Sequence, residues 1–428
     1  MKKAISIKLI PALVATAFAG TASAAGFQLL EQNASGIGNA YAGSAAIADN
    51  ASTIFFNPAG MTQLQDREYS VGLTAIQPSF KFKDEGSSST GFLANAGNGT
   101  DAGQLGLVPN AYLSWAYSPD LKFGIGAGAP FGLMTKYNNP WIGGAQSVSF
   151  DVKTYNINPS VAYRVNDTVS IGGGLNWQRL EAEYKRIAAV SSAALSATTL
   201  KLTLDDEAWG WNVGALFKLS QETKLGLSYR SRIKYDATGK LDASGPAAAG
   251  LAAAGQLSNA RASIELPDTF IASLTHQLND RWELLGDISW TGWSSIPKID
   301  IIRTSGSQSG TVAQTLDTEF RDTWRVAVGG TYKYNDAWKI KLGVAYDQTP
   351  VKGDATRLVS LPDNDRIWLS VGGQWKASKN STLDFGLAYL YLKDAKINNN
   401  QAAAGRAQIV GTYEDSGWIL GAQYSANF

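Results

Sequence analysis

One histidine, His276, and no cysteine occur in the whole chain of 428 residues, which leaves no thiolate ligand, no disulfide and no Cys nucleophile to work with. His276 stands two residues before Leu278-Asn279-Asp280, a turn sequence, and reads as structural. The acids Asp205, Asp206 and Glu207 form a single run. Acid–base catalysis on a glycosidic bond needs two separated carboxylates, so this run reads as a solvated rim near a loop. No catalytic residue, metal ligand or cofactor is therefore expected. A formal net charge of +1 gives no reason to expect nucleic acid as a partner. What remains is non-covalent chemistry, and the residues suited to it are apolar, glycine-rich and placed by long strands.

Those strands are visible as period-two alternation. Tyr155, Ile157, Pro159, Val161, Tyr163 and Val165 alternate with Thr154, Asn156, Asn158, Ser160, Ala162 and Arg164. Although 44% of residues are hydrophobic, no segment after the first 24 approaches the roughly 18 apolar residues of a spanning helix. Tight turns at Ser118-Pro119-Asp120, Asn166-Asp167, Ser220-Gln221-Glu222, Asn279-Asp280, Asn335-Asp336 and Ser378-Lys379-Asn380 alternate with longer Gly-, Ser- and Ala-rich stretches. About 14 strands result, near 68–82, 108–118, 121–136, 147–165, 168–189, 199–219, 222–238, 259–278, 281–303, 312–334, 337–350, 363–376, 381–395 and 414–428. An even number of strands with short turns on one side and long loops on the other predicts an all-β membrane protein, an antiparallel transmembrane barrel of 14 strands over residues 68–428. Several strands exceed the span of the apolar band, so the wall should rise above the membrane on the loop side.

Three segments depart from regular strand. Residues 1–24 combine Lys2 and Lys3, an apolar core and the small-residue site Ala22-Ser23-Ala24, the pattern of a Sec-type signal peptide cleaved after Ala24. Residues 25–67 are too polar and too rich in small residues for a lipid-facing strand, and predict a hatch of short helices and turns in the lumen. Within the third strand, Gly124, Gly126, Gly128, Pro130 and Gly132 predict a wall that is broken or bent inward, because Pro donates nothing to the ladder. Close packing of these glycines beneath the hatch is the other reading. The final strand places Trp418, Leu420, Ala422, Tyr424, Ala426 and terminal Phe428 on one face, which resembles the signal read by barrel assembly machinery.

The stretch AGFQLLEQNASGIGNAYAGSAAIADNASTIFFNPAGM resembles the N-terminal hatch of the long-chain fatty acid and hydrocarbon transporters of Gram-negative outer membranes. Asn57, Pro58 and Ala59 match that family's Asn-Pro-Ala motif, and collinear similarity continues in WGWNVG from Trp209, LSYRS from Leu227, TGWS from Thr291, WRVAVGGTYKYNDAW from Trp324 and SLPDNDRIWLS from Ser360. The resemblance implies a bacterial outer-membrane carrier of hydrophobic small molecules, most simply long-chain fatty acids. Its alternative is a channel for monoaromatic or alkane hydrocarbons; a general porin for polar solutes fits less well. It further implies an internal pocket occupied by Phe27, exit sideways through a gap at the kinked strand, and Asn57, Pro58 and Ala59 as the hatch contact with that strand. Outer-membrane lipid and lipopolysaccharide would surround a monomer, with Phe428 addressing the assembly machinery.

A carboxylate buried without a partner is costly, so a fatty acid carrier should hold basic groups in the pocket. The two strand positions where the resemblance places them hold Glu181 and Asp300, with Arg179, Arg186, Lys298 and Arg303 nearby. A one-residue register shift reverses inside and outside, so the sequence leaves the orientation of all six open. The loop from Ser244 to Leu257 is Ala-rich and suits a short helix or a flexible link.

Overall fold

A computed structural model describes residues 26–188 and 198–428; the expected cleavage site after Ala24 lies outside them. Twenty strand segments make up one antiparallel sheet: β1 (Arg67–Asp84), β2 (Gly106–Ala116), β3 (Leu121–Gly128), β4 (Gly132–Lys136), β5 (Ser149–Arg164), β6 (Val169–Ile187), β7 (Thr199–Lys218), β8 (Thr223–Arg230), β9 (Ile233–Ser244), β10 (Ser258–Leu266), β11 (Thr269–Gln277), β12 (Trp282–Thr291), β13 (Lys298–Arg303), β14 (Val312–Asp317), β15 (Thr323–Lys333), β16 (Trp338–Asp347), β17 (Arg366–Ser378), β18 (Ser381–Leu392), β19 (Ala395–Asn400) and β20 (Gln408–Asn427). Six staves are interrupted, β3/β4, β8/β9, β10/β11, β12/β13, β14/β15 and β18/β19, so the twenty segments form fourteen staves. The first and last pair from Glu68↔Asn427 to Asp84↔Gly411, which closes the sheet into a barrel. The continuous strands expected over 222–238, 259–278, 281–303, 312–334 and 381–395 are thereby corrected. Pro267 and Pro297 lie in two of the breaks, where a residue without an amide hydrogen cannot continue a ladder.

Along each long stave the side that faces out is constant, but its chemistry inverts with height. Low on β6 and β7, Ile171, Leu175, Trp211 and Val213 point outward and are 47 to 57% exposed, while Asn176, Asn212 and Gln178 point inward and are buried. This is the lipid-facing pattern of an outer-membrane barrel. Higher up, Leu180, Leu202 and Leu204 occupy the inside, and Arg179, Glu181, Glu183, Lys185, Lys201, Asp205 and Glu207 stand outside. Arg179 bridges Glu181, Asp205 and Glu207 at 3.0–3.3 Å, and Glu183 bridges Lys185 and Lys201. Asp205 and Glu207 therefore sit on the outer face within β7 rather than at a loop-side rim, because strand parity carries them outward; Asp206 accepts from the Asp236 amide at 2.8 Å.

Inside the barrel, residues 26–66 form no named strand. Short helical turns at Ile37–Asn39, Thr53–Phe56 and Pro58–Gln63 pack against inward side chains of the wall. Six wall cations satisfy carbonyls of this segment: Arg325 to Ala40 at 2.6 Å, Arg164 to Thr62 at 2.6 Å, Arg230 to Phe55 at 2.8 Å, Lys224 to Ile47 and Lys341 to Ser35 at 2.9 Å, and Lys122 to Gln65 at 3.1 Å. Each bond to a charged donor is worth about 1.5–3 kcal/mol. An irregular backbone can thus be buried in the lumen without orphaned carbonyls at these points.

Candidate functional site

Asn57 shows why this segment sits where it does. Its Oδ1 accepts from the Ala59 amide at 3.1 Å and caps the turn begun by Pro58, while its Nδ2 donates to Ala45 at 2.7 Å and to Ala215 of β7 at 3.0 Å. A Cβ on Gly214 would lie 2.0 Å from Asn57 Oδ1, and one on Gly172 would lie 2.5 Å from the Ala59 amide, so two wall glycines form the notch that receives the motif. Asn57, Pro58 and Ala59 therefore meet β6 and β7, within a turn, Pro58–Gln63, that also packs on β5 and β3. Side chains that do reach β3 are Ile54 and Met61 beneath Gly124, Ile54 beneath Gly126 and Gln32 beside Gly128.

The interruption in this stave falls at Ala129, Pro130 and Phe131. Gly124 and Gly126 lie in regular ladder with both β2 and β5 and serve close packing, whereas Gly128 ends β3 and Pro130 occupies the break. Pairing of β2 with this stave stops at Ala111↔Ala127, and β4 resumes on β5 alone apart from a single bridge, Gly103↔Thr135. Among the described residues, β2 thus lacks a ladder partner along residues 106–110 on that side. Here Asn110 is buried with neither Oδ1 nor Nδ2 hydrogen-bonded. The backbone freed at the break turns inward and binds the N-terminal segment instead: Leu29 donates to Pro130 and Gly132 donates to Phe27, both at 2.8 Å.

Phe27 is buried against Trp293 at 4.9 Å and Phe131 at 5.9 Å between ring centroids. Its backbone is fixed from above by Gly26, whose amide donates to Asp363 Oδ2 at 3.0 Å and whose φ of +62° admits glycine readily. The aromatic trio divides two cavities. The upper one, about 760 Å³, is bounded by Phe27, Phe150, Leu180, Leu202, Leu204 and Ile301 among others, with hydroxyls only from Tyr184, Thr318 and Ser360. The lower, about 810 Å³, lies between Leu29, Phe55, Pro130, Phe131, Arg230 and Arg325 beside the break.

Above the apolar cavity, and sharing Tyr184, Leu202 and Ile301 with it, is a chamber containing Arg186, Arg303 and Arg406. Parity settles the open orientations: Leu180, Ala182 and Tyr184 face inward and carry Arg186 with them, while Ile299 and Ile301 carry Arg303. Glu181 and Asp300, on the opposite parity, face out and are held by Arg179 and Lys298. Arg406 was not visible from sequence, because it belongs to a loop between β19 and β20 that only closure of the barrel brings above β6. Leu251, from the helix Ala248–Ala253, also lines the chamber.

Glu31 stands apart from these. It is fully buried in the N-terminal segment, and neither carboxylate oxygen has a hydrogen-bond partner. Burial, offset in part by the charges of Arg366 and Arg325, pushes it up to about 7.

A family model of outer membrane protein transport proteins (OMPP1/FadL/TodX) matches residues 15–428. The long-chain fatty acid transport protein of Escherichia coli strain K12 is 30% identical, with 93% of this chain and 96% of that protein covered. The 47 kDa outer membrane protein of Pasteurella multocida is 33% identical over 90% and 92%. Among solved structures, a FadL homologue of Pseudomonas aeruginosa shares the fold with a TM-score of 0.87 at 24% identity, covering 94% of this chain and all of that one. The Ralstonia pickettii toluene transporter TbuX shares it with a TM-score of 0.66 at 17% identity, covering 92% and 99%.

Proposed function

We propose, from the premise that this chain belongs to the outer membrane protein transport family, that it carries long-chain fatty acids across the bacterial outer membrane. The observation that carries this reading is the arrangement of two unlike spaces in contact: an apolar cavity, and at its mouth three arginines that form no ion pair among the described residues. A chain entering the cavity gains roughly 0.8 kcal/mol per buried methylene. Its carboxylate stays among charged donors, which removes the penalty of burying it alone.

In this reading residues 25–67 act as the hatch, seated on β6 and β7 through Asn57, Pro58 and Ala59, and Phe27 is the plug that a ligand displaces. Exit is sideways at the unpaired stretch of β2, beside Gly128 and Pro130, so the ligand never crosses a water-filled pore. No chemical step is involved; the single histidine, His276, engages Thr223 at 2.9 Å. The chain works as a monomer, its charged upper wall among lipopolysaccharide head groups and its Phe428 serving assembly. A hydrocarbon channel is the second reading, favoured by the lack of charge in the upper cavity.

Uptake of labelled oleate and of toluene, by a Gram-negative strain lacking its own fatty acid carrier and expressing this chain, tests both. Oleate uptake that disappears when Gly126 to Pro130 is rebuilt as regular strand supports fatty acid transport with lateral exit. Toluene uptake alone moves the assignment to hydrocarbons, and uptake of neither sinks both.

A further inference from the structure

The arginine chamber holds more positive charge than one carboxylate can balance. Among the described residues, none of Arg186, Arg303 and Arg406 forms an ion pair. Arg186 feels the like charges of Arg406 and Arg303, Tyr184 beside them is a neutral phenol, and no carboxylate among the described residues acts on any of the three. Residues 189–197, which follow β6 in the sequence, contain no acidic residue. Arginine cannot shed its proton inside a protein, so all three charges persist. Elsewhere in the lumen the wall cations are employed, on carbonyls of residues 26–66 or on acids such as Asp384.

The hydrogen bonds of the chamber are incomplete in one direction only. Arg303 is well satisfied, by both oxygens of Gln256 and by Thr311 and Val312. Arg186 donates to Gln314 Oε1 at 3.1 Å, and Arg406 to Gln401 at 3.3 Å. Among the described residues two buried donors have no acceptor, Arg406 Nε and Gln314 Nε2, on residues that are each 8% exposed. Three persistent charges and two spare donors converging on one space describe a site lacking an acceptor of high charge.

We infer that this chamber is built for a dianionic head group, and that single-chain lipids ending in a phosphate monoester are ligands preferred over fatty acids of equal length. This rests on the transport reading above. A phosphate monoester offers three acceptor oxygens and close to two negative charges above its second ionisation, near pH 6. Guanidinium groups meet it in bidentate geometry. A carboxylate supplies two oxygens and one charge, leaving two arginine charges unbalanced in a partly buried space.

The test is calorimetric titration of the whole protein, held in nanodiscs, with dodecyl phosphate, dodecanoate and dodecanol. At about pH 8 dodecyl phosphate should bind about tenfold tighter than dodecanoate or better, and the gap should close to within about threefold near pH 5, where the phosphate becomes a monoanion. Arg406→Gln should narrow the gap at the higher pH. Equal affinities for the two anions at about pH 8, or tighter binding of dodecanoate, overturn the inference and leave fatty acid transport standing. Binding of dodecanol with neither anion overturns both.

Discussion

The lower and upper halves of this barrel obey opposite rules on the same strands. Below, β6 and β7 turn Ile171, Leu175 and Val213 outward and bury Asn176 and Asn212. These two join Asn156, Asn158 and Gln178 in a network with contacts of 2.9–3.3 Å. Above, the same parity puts leucine inside and ion pairs outside. The solvent decides this: lipid on the outer face demands apolar residues, and water above it permits charges there while the interior becomes the apolar compartment. A single molecule thus has one zone that looks inside-out and one that resembles an ordinary soluble protein core, and the boundary on β6 falls between Trp177 and Leu180.

The comparison breaks most sharply under charge insertion. Val213→Arg, on the lower outer face, should cost about 2–4 kcal/mol, read as a lowered urea midpoint for the folded barrel in vesicles. Thr238→Arg, outward on β9 above the band, should change stability by less than about 0.5 kcal/mol in the same assay; equal effects would erase the distinction between the zones. Between those extremes, Asn57→Ala leaves the Ala45 and Ala215 carbonyls and the Ala59 amide without their partner, an expected loss of about 1–3 kcal/mol in the seating of residues 26–66. Faster proteolytic cleavage in that segment, with the barrel itself intact, would be the readout.

A weaker effect is expected from pH. Because Glu31 is raised from its ordinary 4.5 to about 7, the folded segment holds its proton more tightly than an unfolded one does. The seat should be firmest below about pH 4.5 and loosen as pH climbs through about 7. Hydrogen exchange of the amides of residues 27–32 should accelerate over that interval and lose its pH dependence in Glu31→Gln. An unchanged profile in the variant would remove Glu31 from the account.

Much of this architecture was legible because alternation and turn chemistry are local. The stave count, the placement of the tight turns and the position of the interrupted third stave all follow from residues within a few places of one another. The arginine chamber was not legible, since β6, β13 and the loop carrying Arg406 meet only after closure, and since Glu181 and Asp300 differ from their useful neighbours by parity alone. The partners of Asn57 were hidden for a different reason: Gly172 and Gly214 act through what they lack, and an absent Cβ leaves no pattern in the chain.

Closure itself has a temporal consequence. Residues 26–66 touch β15 to β18 and β20 through Ile37–Asn39, and β3, β5, β6 and β7 through Thr53–Gln63, so their seat is assembled from both ends of the chain. The stretch that leaves the ribosome early can complete its contacts only once β15 to β18 and β20 are also in place. Arg325 of β15 and Lys341 of β16 are the cations that bind this segment from the late part of the chain. Folding of this segment reports, from within, that the circumference is complete.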